Sequence, residues 1–539
     1  MKSIKRIVAA LLVAAMAITL LPAQNEALAA GKNSTTVSLV ACQINADLQT
    51  ITVMGSASSM PAADDGKMYL FAEPTYSSGI TTNPIAVVAA SATPTFAAPL
   101  GEGTANSVLY DKFCIGTVQG GKYVKVSNFC YLTNPQILST FTHGNRIATT
   151  SKKGLFPDPL RLEQLAATGA QHTQYQILLT DLISTKTTGV IPYAYNGKVY
   201  SFDAATVMQY DYLLTYCQQR NISMTMVCLI GNKKGLEVMI NPYSRATYTK
   251  AKTYFMPNAS EALGVDYLAA TYAFLAERYN GLQGHGQIDN FVIGNEVTAF
   301  VQWNYMPAGT SLTAYVEEYA KVLRVAYTAV KSKNSAARVF TSCDQRYNRN
   351  EKNNTVFDTR DFVEALAANT AAQGNFSWGV SIHPYNCPLT SATWWNKTSY
   401  YARMVNHTQN TPYLTIENLE VFTDFMCTPA MLTSAGGVRP IIIDEIGYTS
   451  TQGEKNQAAA IVYAYKQVEA NQYIKSVVFH NTTDIAEEVK QGLAEGLLNA
   501  NGTPKLAYTW FTGMDGAQGS TYVTAAKGVI GSKWNIIAR

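Results

Sequence analysis

The chain is poor in charge. Asp, Glu, Lys and Arg make up 14% of its 539 residues, against roughly 25% in an average domain. Its formal net charge is only +4. A balance so close to neutral excludes an electrostatic grip on nucleic acid or on an anionic membrane as its main business. No CxxC pair, HExxH string, Walker loop or GxSxG elbow occurs. Their absence removes the common zinc sites, nucleotide-phosphate cradles and serine-elbow hydrolases, and leaves no motif for a metal or other cofactor. Past residue 21 no apolar run is long enough to span a bilayer. There is no internal repeat and no low-complexity segment.

What is present begins with a leader. Lys2, Lys5 and Arg6 precede the apolar run Ile7 to Leu21, and Ala27-Leu28-Ala29 has the small-x-small form of an export cleavage site. Residues 1–29 thus read as a signal peptide, and the protein as secreted. Losing Lys2, Lys5, Arg6 and Glu26 brings the mature charge to +2. All eight cysteines lie beyond the leader. Most read as small buried hydrophobes. Cys114 and Cys130 flank a Gln119-Gly120-Gly121 turn, and are the best-placed pair for a disulfide in an oxidising compartment.

Residues 30–133 read as an all-β, sandwich-like domain. Short strand runs such as Thr36 to Val40, Ile51 to Met54, Lys67 to Phe71 and Lys122 to Val126 are separated by Gly, Pro, Ser and Asn. From Asn134 the pattern becomes strand and helix in alternation. Strand one lies near Thr149 to Leu155, two at Gln174 to Leu179, three at Ser223 to Ile230 and four at Ile288 to Asn295. Strand five follows at Arg338 to Cys343, six at Trp378 to Ile382, seven at Pro440 to Ile443 and eight at Ile474 to Phe479. Continuous β-branched runs are the mark of parallel strands buried on both faces. Eight such units over residues 134–512 predict an α/β fold, a (β/α)8 TIM barrel with enlarged loops. A doubly wound sheet is the alternative. The tail, 513–539, reads as β-like and as a candidate to complete the sandwich.

The predicted strands leave polar groups at their C-terminal ends, where such a barrel carries its active site. Strand two leaves Asp181 and strand three Asn232. Strand four leaves Asn295 and Glu296, and five leaves Asp344. Strand six leaves His383 and Tyr385, seven leaves Asp444 and Glu445, and eight leaves His480, Asn481 and Asp484. Two glutamates on strands four and seven of one mouth are the equipment for cleaving a glycosidic bond. Trp303, Trp394 and Trp395 sit in loops after strands four and six as candidate sugar platforms, though the Trp394-Trp395 pair reads equally well as core.

Asn295-Glu296 closing strand four and Glu445 closing strand seven resemble the clan of retaining (β/α)8 glycosidases. More closely, Gly294-Asn295-Glu296, Ser381-Ile382-His383-Pro384-Tyr385 and Asp444-Glu445-Ile446-Gly447-Tyr448 resemble an uncharacterised bacterial family of secreted proteins with this barrel. The resemblance implies Glu445 as nucleophile and Glu296 as acid/base. It implies Asn295 on the sugar 2-hydroxyl and Tyr385 orienting Glu445. His383, Asn232, Asp344 and His480 join them as candidate substrate contacts. The sequence departs from the clan in two places. Val297 stands where a proline usually follows the glutamate, and His480-Asn481 stand where a tryptophan usually closes strand eight. The partner so implied is an oligo- or polysaccharide. The rival expectation is a non-catalytic glycan-binding protein on the same barrel, which predicts carboxyls too far apart or blocked.

Overall fold

The computed structural model describes residues 36–139, 143–249, 254–351 and 353–539; the leader lies outside them. The chain divides into two compact units. One holds residues up to Ile137 with 195–198 and 370–375, and the other holds the remainder.

The first unit is antiparallel β. A three-stranded sheet runs Val37–Ile44, Thr50–Ala57, Thr95–Pro99, and a second sheet is built on Pro84–Ala89, Lys67–Glu73, Lys112–Gln119 and Lys122–Lys125. Buried and exposed residues alternate along Val37–Ile44 and Thr95–Pro99, as expected for sheets with one wet face. Gly55 has no room for a side chain because Ile115 of the other sheet and Val37 press on it. The Gln119–Lys122 hairpin turns through Gly120 and Gly121, both at positive φ, the backbone a tight two-residue turn requires. The Cys114–Cys130 bridge does not form. Cys130 pairs with Phe113 across the ladder, so Cys114, one residue on, points to the opposite face.

The second unit is a closed barrel of eight parallel strands: Lys153–Leu155, His172–Leu178, Ser223–Leu229, Asn290–Ile293, Arg338–Cys343, Trp378–Ile382, Ile441–Gly447 and Ile474–His480. They are called strands one to eight below. Val227, Leu229, Val292, Phe340 and Ile442 pack together as a core cluster. The helix Leu312–Lys333 shows what the tyrosines do. It is capped by Ser311, whose hydroxyl accepts from Ala314 N–H, and Lys331 and Lys333 meet its negative end. Tyr319 donates to Ile293 O at 2.6 Å and Tyr315 to Val297 O at 2.7 Å. One helix thus grips the backbone on both sides of Glu296.

Two features differ from expectation. Strand two is followed by a small sheet of Ile183–Ser184, Lys198–Asp203 and Val190–Tyr195. The tail is helical rather than β-like: Gly519–Ile530 is an α-helix, which packs beside the helix Glu454–Ala470. Tyr463 donates to Asn535 O at 2.8 Å, and Ile537 N–H donates to Gln467 at 3.0 Å. The tail, 513–539, reads as β-like, but packing outweighs so weak a preference. Among the described residues no helix is long and apolar enough to cross a membrane.

Candidate active site

Strands four, six and seven bring the chemistry together, each by a local device. Strand four ends in Gly294 at φ +84° and Glu296 at φ +38°. A non-glycine residue in the left-handed region costs on the order of 1 kcal/mol. Here Glu296 N–H donates to Ser342 Oγ at 3.0 Å and Val297 N–H to Ser342 O at 2.9 Å, so strand five holds the turn. In strand seven, three steps from Ile443 to Ile446 face two from Val477 to Phe479. The extra residue is a bulge, which re-aims side chains. It lets consecutive residues, Asp444 and Glu445, both reach the groups of strand six.

Strand six supplies those groups. His383 is fully buried. Its Nδ1 lies 2.9 Å from Glu296 Oε1 and its Nε2 lies 3.0 Å from Asp444 Oδ1. Ser381 donates to the same Asp444 oxygen. Burial alone would strip the proton from this ring, but the charge of Glu445 and the bonds to Asp444 and Glu296 outweigh it and hold His383 charged well above the usual histidine range. Tyr385 donates its hydroxyl to Glu445 Oε1 at 2.8 Å. Burial, then the Glu445 charge, keep that hydroxyl protonated. One oxygen of Glu296, one nitrogen of His383 and one oxygen of Glu445 lie within 4.8 Å of one another. Among the described residues these are the only His, Cys, Asp or Glu atoms grouped closely enough to hold a metal ion. Both His383 nitrogens already face carboxylates, so a metal would have to displace a hydrogen bond.

The other candidates divide. Asn295 is buried beside Glu296, with Oδ1 unpartnered among the described residues. Asp344 lies at the end of strand five; burial, then the charge of Glu296, push its carboxyl up to about 7. His480 ends strand eight with Nδ1 3.4 Å from Glu495. Trp303 stacks on Tyr254 at 5.8 Å. Three residues are engaged with other partners. Asn232 is exposed and donates to Tyr248 OH. Trp394 is core, its ring 4.3 Å from that of Tyr463, and Trp395 packs edge-on against it at 5.5 Å.

A cleft of about 730 Å³ opens over the ends of strands eight, one, two and three, and none of Glu296, His383, Tyr385 and Glu445 lines it. Phe156, Tyr175, Tyr210 and Tyr254 give it apolar faces, and Asp158, Arg161, Asp181 and Lys233 give it polar ones. Sequence reasoning passed over most of these, as it did Glu488 and Glu495. The one available signal for Glu495 was a charged residue inside the apolar string Leu493-Ala494-Glu495-Gly496-Leu497.

Residues 145–537 match the family model DUF5722, described as a family of unknown function. The chain belongs to DUF5722. No curated protein matches it. Among solved structures this DUF5722 member is similar to a family 39 glycoside hydrolase from the gut symbiont Bacteroides cellulosilyticus WH2. The identity is 12% and the TM-score 0.44, over 94% of this chain and 83% of the other. It is also similar to the exo-beta-1,4-mannosidase Op5Man5 from Opitutaceae bacterium strain TAV5, with 12% identity and TM-score 0.41, over 72% of this chain and 62% of that one. A third is GH5_18 from Streptomyces cattleya in complex with GlcNAc, with 13% identity and TM-score 0.41, over 72% and 83%.

Proposed function

We propose that this DUF5722 protein is a retaining glycoside hydrolase acting on an oligo- or polysaccharide. The observation that carries the reading is that a carboxylate oxygen of Glu296 and one of Glu445 lie within 4.8 Å of each other. Retaining enzymes hold their two carboxyls roughly 5–5.5 Å apart; inverting enzymes need about 6.5–9.5 Å to admit a water.

The chemistry follows from the bonds around each group. Tyr385 ties down one oxygen of Glu445 and turns the other toward the anomeric carbon. As that oxygen attacks, the glycosidic C–O bond breaks and Glu296 gives its proton to the departing oxygen. The sugar is then an ester of Glu445. Glu296, now a carboxylate, takes a proton from water, and the water oxygen displaces Glu445. His383 sits between Glu296 and Asp444, so the proton that Glu296 loses and regains is balanced by a cation in direct contact.

The test is the stereochemistry of the first product. Aryl glycosides of several sugars are incubated with the full chain, and the anomeric proton is followed by NMR. Retention is the expected result, and inversion overturns the mechanism. We further propose export through the leader at residues 1–29, which N-terminal sequencing of the protein from its native host would check.

A further inference from the structure

Strand eight ends in a charged pair that the mechanism above does not use. His480 is partly buried, its side chain 14% exposed, with Nδ1 turned to Glu495 Oε2 at 3.4 Å and Glu488 Oε2 at 3.9 Å. Its Cα pairs with Gly447, two residues beyond Glu445. The ring stands edge-on to Phe156 at 5.2 Å. Phe156 and the next residue, Asn481, both line the cleft. His480 does not itself line the cleft, but it packs on one lining residue and precedes another, on the strand next to the one that bears Glu445.

Glu495 is built into this place. It is 3% exposed. Its carboxyl fills the space above Gly447, where an added Cβ would come within 2.0 Å of Oε2. The loop that carries it is pinned by the buried Gln457, which donates to Tyr448 O at 2.9 Å, Glu495 O at 3.2 Å and Gly496 O at 3.1 Å. Asp484 accepts from Gly496 N–H at 2.8 Å and from Lys505 at 2.7 Å. Burying a carboxylate so firmly is costly unless it meets a cation, and His480 is the cation it meets. Glu495 Oε1 and Asn481 Nδ2 are buried with no partner among the described residues. A native fold seldom leaves such atoms unpaired.

We propose that His480, braced on Glu495, is a substrate-contacting residue that donates from Nε2 to a hydroxyl of an uncharged sugar ring seated over Glu445. Nδ1 is committed to Glu495 and Glu488, which leaves Nε2 as the nitrogen for a ligand. A ring charged on both nitrogens is a donor only, so it selects an acceptor. The groups facing it are Glu495 from the loop, Glu488 from the short helix Ala486–Val489 and Glu445 from strand seven; Asp484 is neutralised by Lys505. Three carboxylates around one cation leave the spot net negative and disfavour a uronic acid. Burial would deprotonate His480, but the bond to Glu495 and the charge of Glu445 raise its pKa overall. Glu495 is a positioning residue: it acts through His480.

The inference rests on the hydrolase reading for where the sugar lies, but its test is independent of turnover. The full chain is labelled with 15N-histidine, and His480 is assigned among the six histidines with His480→Gln. Its titration midpoint is expected above the ordinary value of about 6.5, and lower by a unit or more in Glu495→Gln. Glucose, mannose, galactose and xylose are then added in turn, and glucuronic and galacturonic acids as the charged arm. At least one neutral sugar should shift the His480 signal, and in Glu495→Gln its affinity should fall about 10-fold or more, the worth of one charge-assisted hydrogen bond. Glu495→Asp should recover part of it. A wild-type midpoint at or below 6.5, no response to any neutral sugar, or a stronger response to the uronic acids overturns the proposal, whatever the variants do. Inversion in the product test with an intact His480 response would remove the mechanism and leave the contact standing.

Discussion

Strands six and eight flank the strand that bears Glu445, and each ends in a histidine set among carboxylates. The two histidines are built differently. His383 is fully buried, with both nitrogens about 3 Å from a carboxylate. His480 is partly exposed, and its nearest carboxylates stand at 3.4 and 3.9 Å on one side of the ring. The first is locked from both ends; the second is braced from one end only. In a mouth of this kind a locked cation fixes the groups that do the chemistry. A cation braced on one side keeps a nitrogen for whatever enters.

The largest expected effect comes from unlocking the first. His383→Ala leaves Glu296 and Asp444 facing each other without their cation, and removal of one partner from such a buried set costs about 3–5 kcal/mol. In the unfolded chain His383 titrates near about 6.5, and in the fold it keeps its proton to higher pH. Its stabilisation is therefore complete below about pH 6.5 and is lost as pH rises toward the folded value. Urea unfolding of wild type and variant should show a wide gap at pH 6 that narrows at pH 9. A gap independent of pH would mean that His383 contributes packing rather than charge.

Next is Tyr385→Phe, which frees the Glu445 oxygen that the hydroxyl holds at 2.8 Å. A hydrogen bond to a charged group is worth about 1.5–3 kcal/mol, so kcat/KM on the best aryl glycoside should fall about 10- to 100-fold. His480→Gln should instead act mainly through KM, and equal changes in both parameters for both variants would erase the contrast between the two sides. Gly447→Ala follows. Its new methyl enters the Glu495 carboxyl, and overpacking of this kind costs about 1–3 kcal/mol, read as a lower melting temperature.

An effect of the opposite sign is expected at Asp344. Its carboxyl titrates near about 7 in the fold and near about 3.9 unfolded. The folded state therefore resists ionising it, and that cost grows between those two pH values. Asp344→Asn should raise the melting temperature more at pH 8 than at pH 4. A stabilisation equal at the two pH values would leave the carboxyl with no such role.

The barrel was legible because β-branched strands buried on both faces leave a continuous apolar run, and because a carboxylate ending such a run stands out. Glu296 and Glu445 carry that signal, and His383 and Tyr385 close strand six beside them, in three short strings. The bulge that turns Asp444 and Glu445 together had none, since one extra residue in a ladder shows only against its neighbour. Glu495 was missed because it lies 15 residues past His480 in a loop, and loop contacts follow from closure rather than from local pattern. Trp394 looked the same as platform or as core until Tyr463 appeared beside it. The tail, 513–539, reads as β-like, and its helix Gly519–Ile530 shows itself only in the packing on Glu454–Ala470.

The central claim is that Glu445 bonds to the sugar. A 2-deoxy-2-fluoro glycosyl fluoride of the sugar that the protein cleaves best slows release of the covalent intermediate and lets it accumulate. Peptide mass spectrometry of the inactivated full chain should then find one sugar attached at Glu445, with none on Glu445→Gln. A sugar attached to another residue, or turnover without any trapped species, would contradict the account.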